Sequence, residues 1–304
     1  MAQASFDNRN TRVSNRIDRL TPMRVLNYGL IALFSFICLI PMVLVVMISF
    51  TEEAAIKANG YQLFPQALTI EAYRLLLTPT SSIYPAYLVS LTVTFFGTLL
   101  AVVITGMAAF TLCNKNVHYR NSLAVFFFVP MVFNAGLVPW YMMNRALGLT
   151  NNIFALIVPS LMFSAYNMFL TRNFMNGLPD SLMESAKLDG ASDAQIAFRI
   201  YFPLSKPVLA AVALFYGVAY WNDWFNAIML VDNTKLFPLQ YMLYQIRSQL
   251  QALQRLQPDI PVRNLPGESL KMATAIVTIG PIIFLYPFLQ KYFIKGLIIG
   301  GVKG

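Results

Sequence analysis

Charge is scarce in this chain. Only 12% of its 304 residues are Asp, Glu, Lys or Arg, about half the share of an average soluble domain, and that shortage excludes a surface wetted on every side. Histidine and cysteine are scarcer still. The single histidine, His118, lies in a short polar gap and reads as solvated. The two cysteines are Cys38, inside an apolar run, and Cys113, at the end of another; neither has metal-ligand spacing and no Cys pair falls in a loop, so no disulfide framework is indicated. One His and scattered acids do not supply the clustered side chains that a membrane enzyme needs. No Gly-x4-Gly-Lys-[Ser/Thr] phosphate loop occurs anywhere, so ATP hydrolysis has no site of its own here. Internal repeats and low-complexity tracts are also lacking.

What is present is hydrophobic: 57% of the residues. They gather into six apolar runs, approximately 25–50, 86–112, 122–143, 152–170, 207–231 and 270–294, each of about the length that spans a bilayer as a helix. In hydrocarbon every backbone amide must pair within its own segment, so runs this long are expected to be helices rather than strands. Pro41, Pro130, Pro159, Pro281 and Pro287 lie in or near them and are tolerated where neighbouring helices re-satisfy the freed carbonyls. The first run is too long, and its polar lead too extended, for a cleaved signal peptide.

The net charge of +9 invites a nucleic-acid reading, but the basic residues fall in the gaps between runs, where topology signals fall. The N-terminal tail (Arg9, Arg12, Arg16, Arg19, Arg24), the gaps 113–121 and 171–206, and the C-terminal end carry fourteen Lys and Arg, against seven in the alternate gaps 51–85, 144–151 and 232–269. By the positive-inside rule both termini and the 171–206 gap are cytoplasmic, and the 51–85 and 232–269 loops lie outside. The tail arginines also suit anionic lipid. The expected organisation is a cytoplasmic tail 1–24, a multi-pass transmembrane domain 25–295 and a cytoplasmic tail 296–304.

Within that domain the loop at about 178–207 is the most informative. Ser181 with Glu184, just after Pro179, has the capping-box spacing of a helix start. Gly190 suits the left-handed residue that ends a helix, Ser192 with Gln195 repeats the capping spacing, and Pro203 and Pro207 are expected to stop the second helix before the fifth run. The first helix has about two turns, roughly 12 Å, too short to hold in water without a partner surface. Leu182, Met183, Leu188, Ile196, Phe198 and Ile200 make the loop apolar, while Ser185, Ala186 and Ala191 permit close approach. Two readings stand side by side: a helix for another protein's groove, and a helix lying on the bilayer surface.

The run Glu184-Ser185-Ala186, then Asp189-Gly190-Ala191, then Ile200-Tyr201-Phe202-Pro203 resembles the EAA loop of binding-protein-dependent ABC importer permeases, departing from the pattern at Ser185 and Phe202. Tyr220-Trp221-Asn222-Asp223-Trp224-Phe225 is similar to the fifth-span motif of the sugar-uptake branch. The end, Gly296-Leu297 with Gly300, Gly301, Val302 and Lys303, is similar to the tail of the smaller maltose-importer permease. The resemblance implies an all-α integral membrane protein with six transmembrane helices and a cytoplasmic coupling helix. It implies import of a sugar, an oligosaccharide in particular, by alternating access. The implied partners are a second permease, two copies of an ABC ATPase, an extracytoplasmic sugar-binding protein and the bilayer; ATP and Mg belong to the ATPase, and this chain holds no cofactor or metal. Leu182, Met183, Glu184, Ser185, Ala186, Leu188, Asp189, Gly190, Ala191, Ile200 and Pro203 are the implied ATPase-coupling residues, with Glu184 fixing the helix start and Gly190 the turn. Gly300, Gly301, Val302 and Lys303 are the implied ATPase-contacting tail.

For the substrate pathway the candidates are Asn134, Tyr141, Asn167, Trp221, Asn222, Asp223 and Trp224. Each has a plainer alternative: Asp223 as an interfacial acid, the tryptophans as belt aromatics, the asparagines as interhelical hydrogen-bonders. The 232–269 loop is rich in Gln and is a candidate polar helix that either touches the binding protein or is solvated. The rival reading of the whole chain is an ion-coupled secondary carrier, which needs ionisable groups at mid-membrane; only Asp223 is available for that role.

Overall fold

The computed structural model describes residues 22–78, 82–159, 161–256 and 267–281, and among these every extended element is helical. In chain order the helices are α1 (Pro22–Ser49), α2 (Glu53–Asn59), α3 (Glu71–Leu76), α4 (Ile83–Cys113), α5 (Arg120–Val132), α6 (Leu137–Ala146), α7 (Phe154–Ile157), α8 (Ala165–Met175), α9 (Ser181–Leu188), α10 (Asp193–Ile196), a π-turn (Ala197–Tyr201), α11 (Phe202–Leu204), α12 (Lys206–Trp221), α13 (Phe225–Leu230), a 3-10 turn (Thr234–Leu236), α14 (Leu239–Leu256) and α15 (268–281).

Two of these, over Val25–Ser49 and Ile83–Cys113, are long and apolar enough to cross a membrane. Two bent pairs raise the number to four if each is one span: α5 with α6, bent by 119°, and Asp193–Leu204 with α12, bent by 86°. The expectation of continuous helices is corrected in three runs. The third breaks after Pro130, with Gly136 at φ 86°. The fourth breaks around Pro159 into α7 and α8, and the fifth breaks at 222–224 between α12 and α13. Of the sixth, 282–294 lies outside the described residues.

The break in the fourth run shows how such a segment survives in an apolar setting, where freed backbone groups must find partners. The Tyr220 hydroxyl donates to the Ile157 carbonyl at 2.7 Å, and Asn226 Nδ2 donates to the Pro159 carbonyl at 3.2 Å. The Ser164 N–H donates to the Tyr216 hydroxyl at 2.9 Å, which also bonds Thr105 Oγ1 at 2.7 Å. Ser164 in turn caps α8, its Oγ accepting from the Asn167 N–H. Three side chains from α12 and α13 thus hold the unwound stretch, and one of them, Tyr216, also ties it to Thr105 of α4.

α4 is the central strut. It packs along α12 on one side and α8 on another, with Val93, Ala101, Val208, Val212, Tyr216 and Tyr220 in one buried cluster. Glycine permits two close approaches. A Cβ on Gly97 would stand 2.6 Å from the Tyr220 ring, and one on Gly106 would stand 2.7 Å from the Phe202 ring.

Contacts between loops follow the two sets of gaps read from the basic residues. Lys115 pairs with Asp180, joining gaps 113–121 and 171–206. Asn151, at φ 56°, accepts from the N–H groups of Asp232 and Asn233, joining 144–151 to 232–269. Glu53 joins 51–85 to the start of α15: its carboxylate accepts from the N–H groups of Glu268 and Ser269 and from Ser269 Oγ.

Candidate functional site

The loop 178–207 is built on two helix ends. α9 begins earlier than the expected Ser181 cap. Asp180 is already helical (φ −60°, ψ −31°), and its carbonyl accepts from the N–H groups of Met183 and Glu184. Ser181 is therefore the first helical residue, and the Ser181–Glu184 capping box is not formed, because a cap residue needs an extended backbone. The role given to Glu184 in fixing the helix start is corrected accordingly; its side chain is exposed on the outer face.

The other end follows the expectation. Gly190 has φ 79°, its N–H donates to the Lys187 carbonyl at 3.0 Å, and the Ala191 N–H donates to the Ala186 carbonyl at 2.9 Å. This pair of bonds is a Schellman closure, which needs a left-handed residue at Gly190's position. The Ser192–Gln195 capping box is present in both directions. Lys187 pairs with Asp193 across the turn at 3.4 Å. The chain then runs through Pro203, which does not stop it, and breaks two residues later at Ser205. Pro207 has no N–H to give and its ring crowds the turn before it, which places the 86° bend there.

α9 is held on one face only. Met183 and Ala186 are buried against Phe110, Leu112 and Cys113 of α4 and Met168 and Met175 of α8, together with Ile196, Ala197 and Tyr201; Ala191 and Ile200 pack at the edge. Leu182 is half-buried, while Ser181, Glu184, Ser185, Leu188 and Asp189 are exposed, as is Pro203 beyond. Leu188 is 89% exposed. Ser181, Glu184, Ser185 and Leu188 have the spacing of one helical face, so the loop presents an apolar knob beside a carboxylate on a short, firmly backed helix. Gly300, Gly301, Val302 and Lys303 lie outside the described residues.

At the far end of α12, about 24 Å along its 16 residues, three of the pathway candidates come together. Asp223 is a backbone cap: its carboxylate accepts from the N–H groups of Phe225 at 3.1 Å and Asn226 at 3.3 Å, opening α13. Asn222 donates to the Val218 carbonyl and accepts from Gln240 Nε2 at 3.0 Å. Trp224 stacks on Tyr244 of α14 with centroids 4.8 Å apart and planes 9° apart. The remaining candidates have other places. Trp221 is buried, its indole N–H donating to the Thr278 carbonyl at 3.0 Å, so its ring is packed within the protein. Asn134 Oδ1 accepts from the Gly136 N–H in the break between α5 and α6. Asn167 is buried in α8, and Tyr141 packs against the central cluster. Gln240 and Tyr244 became partners only in three dimensions; their signal in the sequence was the four-residue spacing on one helix face.

The comparisons agree on a kind of protein. A family model described as binding-protein-dependent transport system inner membrane component matches residues 99–299. The polygalacturonan/rhamnogalacturonan transport system permease protein YtcP of Bacillus subtilis (strain 168) is 34% identical over 281 residues, covering 92% of this chain and 98% of the relative. The arabinooligosaccharides transport system permease protein AraQ of Halalkalibacterium halodurans is 27% identical over 277 residues, 90% of this chain and 94% of the relative. Among solved structures, a chain of a bacterial ABC transporter involved in the import of the acidic polysaccharide alginate superposes with a TM-score of 0.79 at 28% identity, covering 91% of this chain and 98% of that one.

Proposed function

Because the chain belongs to the family of binding-protein-dependent transport system inner membrane components and is the permease of an ABC importer, we propose that it carries an oligosaccharide across the bacterial cytoplasmic membrane, driven by an ATPase docked on α9. The family match sets aside the ion-coupled carrier. The observation that carries the docking is the outer face of α9: a helix of eight residues, too short to hold alone, is backed on one face and shows an almost fully exposed Leu188 on the other. An exposed leucine beside a carboxylate suits insertion into a cleft of a partner protein. The oligosaccharide is supported by the relatives, whose names specify polygalacturonan, rhamnogalacturonan, arabinooligosaccharides and alginate.

The coupling follows from how the loop is fastened. Met183 and Ala186 tie α9 to the ends of α4 and α8, so a push on α9 is delivered to those helices rather than absorbed in a floppy loop. The Schellman turn at Gly190, the Ser192 capping box and the right-angled bend at Ser205 carry the same push into α12. ATP and Mg act in the partner; this chain's residues transmit movement. A second permease completes the pathway, a sugar-binding protein delivers the substrate outside, and both termini face the cytoplasm.

A photocrosslinking residue at Leu188 tests the reading in native membranes. The expected product is an adduct with an ATPase subunit whose yield changes when ATP is added. An adduct with lipid alone puts α9 on the bilayer surface and refutes the docking.

A further inference from the structure

The break after α12 carries a second constellation. Trp224 is 41% exposed and stacks on Tyr244, and Tyr244 is in turn nearly parallel to Tyr241, with centroids 6.3 Å apart and planes 15° apart. The Phe225 ring closes one side, edge-on to Trp224 and 5.5 Å from Trp140. The Asn222–Gln240 amide pair lies beside the stack. On α14, Gln240, Tyr244 and Arg247 stand at i, i+4 and i+7, one face of the helix. Arg247 is exposed and has no ion pair among the described residues. The eighteen residues of α14 include Arg247 and Arg255 and no Asp or Glu, and Asp223, the acid that follows Asn222, has its Oδ1 on two backbone N–H groups.

Each part suits one feature of a sugar acid. A partly exposed indole held flat against a second ring is a rigid apolar platform for the C–H face of a pyranose. Side-chain amides give and take hydrogen bonds with ring hydroxyls. An exposed guanidinium with no ion pair among the described residues presents a fork that matches a carboxylate bidentately. A merely structural stack needs no arginine on its stripe, and a neutral-sugar site needs no excess of positive charge.

We propose that Trp224 and Tyr244, with Asn222, Gln240 and Arg247, form a binding platform for uronic-acid units of an oligosaccharide at the outer mouth of the pathway. It deepens the import function and rests on that reading for its side of the membrane. The platform lies at the opposite end of α12 from the α9 loop, so it receives substrate before the pathway opens inward.

The test uses the whole importer in nanodiscs of zwitterionic lipid, without its binding protein, titrated with trigalacturonate and with the same trisaccharide fully methyl-esterified. Tryptophan fluorescence is the readout, and Trp224→Phe identifies the reporting ring. The expected result is that the acid quenches Trp224 and that Arg247→Gln weakens it about tenfold or more, while the ester binds weakly and equally to both proteins. Uptake of glycans by the complete system is measured in parallel. Equal binding of acid and ester by wild type, or no effect of Arg247→Gln, overturns the uronate platform and leaves sugar import standing; an Arg247 that only held anionic lipid gives that result. A parallel loss of both ligands in Arg247→Gln makes the arginine structural and also overturns it. No quenching at Trp224 in an importer that still takes up glycans overturns the platform alone, whereas no uptake of any glycan overturns the import reading beneath it.

Discussion

At the scale of single residues, the left-handed backbone at Gly190 and the paired carboxylate of Glu268 set what a substitution does. Gly190 stands at φ 79° with open space where a Cβ would be, so Gly190→Ala meets no clash but carries the left-handed penalty of about 1–2 kcal/mol. We expect this variant to insert and assemble, and to hydrolyse ATP while uptake falls at least severalfold, as measured by paired ATPase and transport assays; normal uptake removes Gly190 from the coupling. Glu268 makes a pH-dependent contribution. Burial of its carboxyl acts to raise the pKa, but the hydrogen bonds from Lys271 and Tyr61 and the Lys271 charge outweigh it, and the pKa lies below the usual glutamate range. A group shifted down in the folded state adds stability above its unfolded pKa, about 4.3, and that stability is lost as pH falls through the folded value. Lys271→Met should therefore lower the Tm at pH 7, and the gap to wild type should close below about pH 4. A gap constant with pH shows that Lys271 acts by packing alone. The turn at Gly190 and the Ser192 capping box were legible in the sequence because both are local, within five residues. The role of Glu53 was not, since its partners Glu268 and Ser269 lie 215 and 216 positions away.

At the scale of elements, hydropathy located the runs but not their breaks. The runs 122–143, 152–170 and 207–231 are apolar enough to read as spans, and a window of hydropathy does not register that a segment is unwound when its backbone partners come from elsewhere. The partners of the break near Pro159 are Tyr216, Tyr220 and Asn226, some 50 to 70 residues on. The helix start at α9 was misplaced for a smaller reason: Asp180 enters the helix directly from Pro179, leaving Ser181 no extended backbone with which to cap. If the Tyr220 hydroxyl holds the break, Tyr220→Phe leaves the Ile157 carbonyl unpaired and costs about 1–3 kcal/mol, read as a lower Tm in detergent and faster proteolysis between α7 and α8. An unchanged Tm and cleavage pattern show that the break is held by packing alone. α14 was half legible: its Gln-rich composition suggested a polar helix, but only the fold sets it beside Trp224.

At the scale of the whole molecule, the described helices leave large apolar faces uncovered, notably along α1, where Phe34, Phe36 and Ile37 are exposed, and on α5 at Phe126 and Phe128. On the proposed function, bilayer and partner subunits cover such faces, and because the sequence holds no Gly-x4-Gly-Lys-[Ser/Thr] phosphate loop, that proposal needs another chain to drive transport. The account therefore stands or falls on assembly. The direct measurement is affinity purification of the tagged chain from its native membrane in mild detergent, followed by mass spectrometry for stoichiometry and an ATPase assay. The account predicts a second permease and an ATPase with one copy of each permease to two of the ATPase, active in hydrolysis. Recovery of the chain alone, or as a homodimer without ATPase activity, would contradict it.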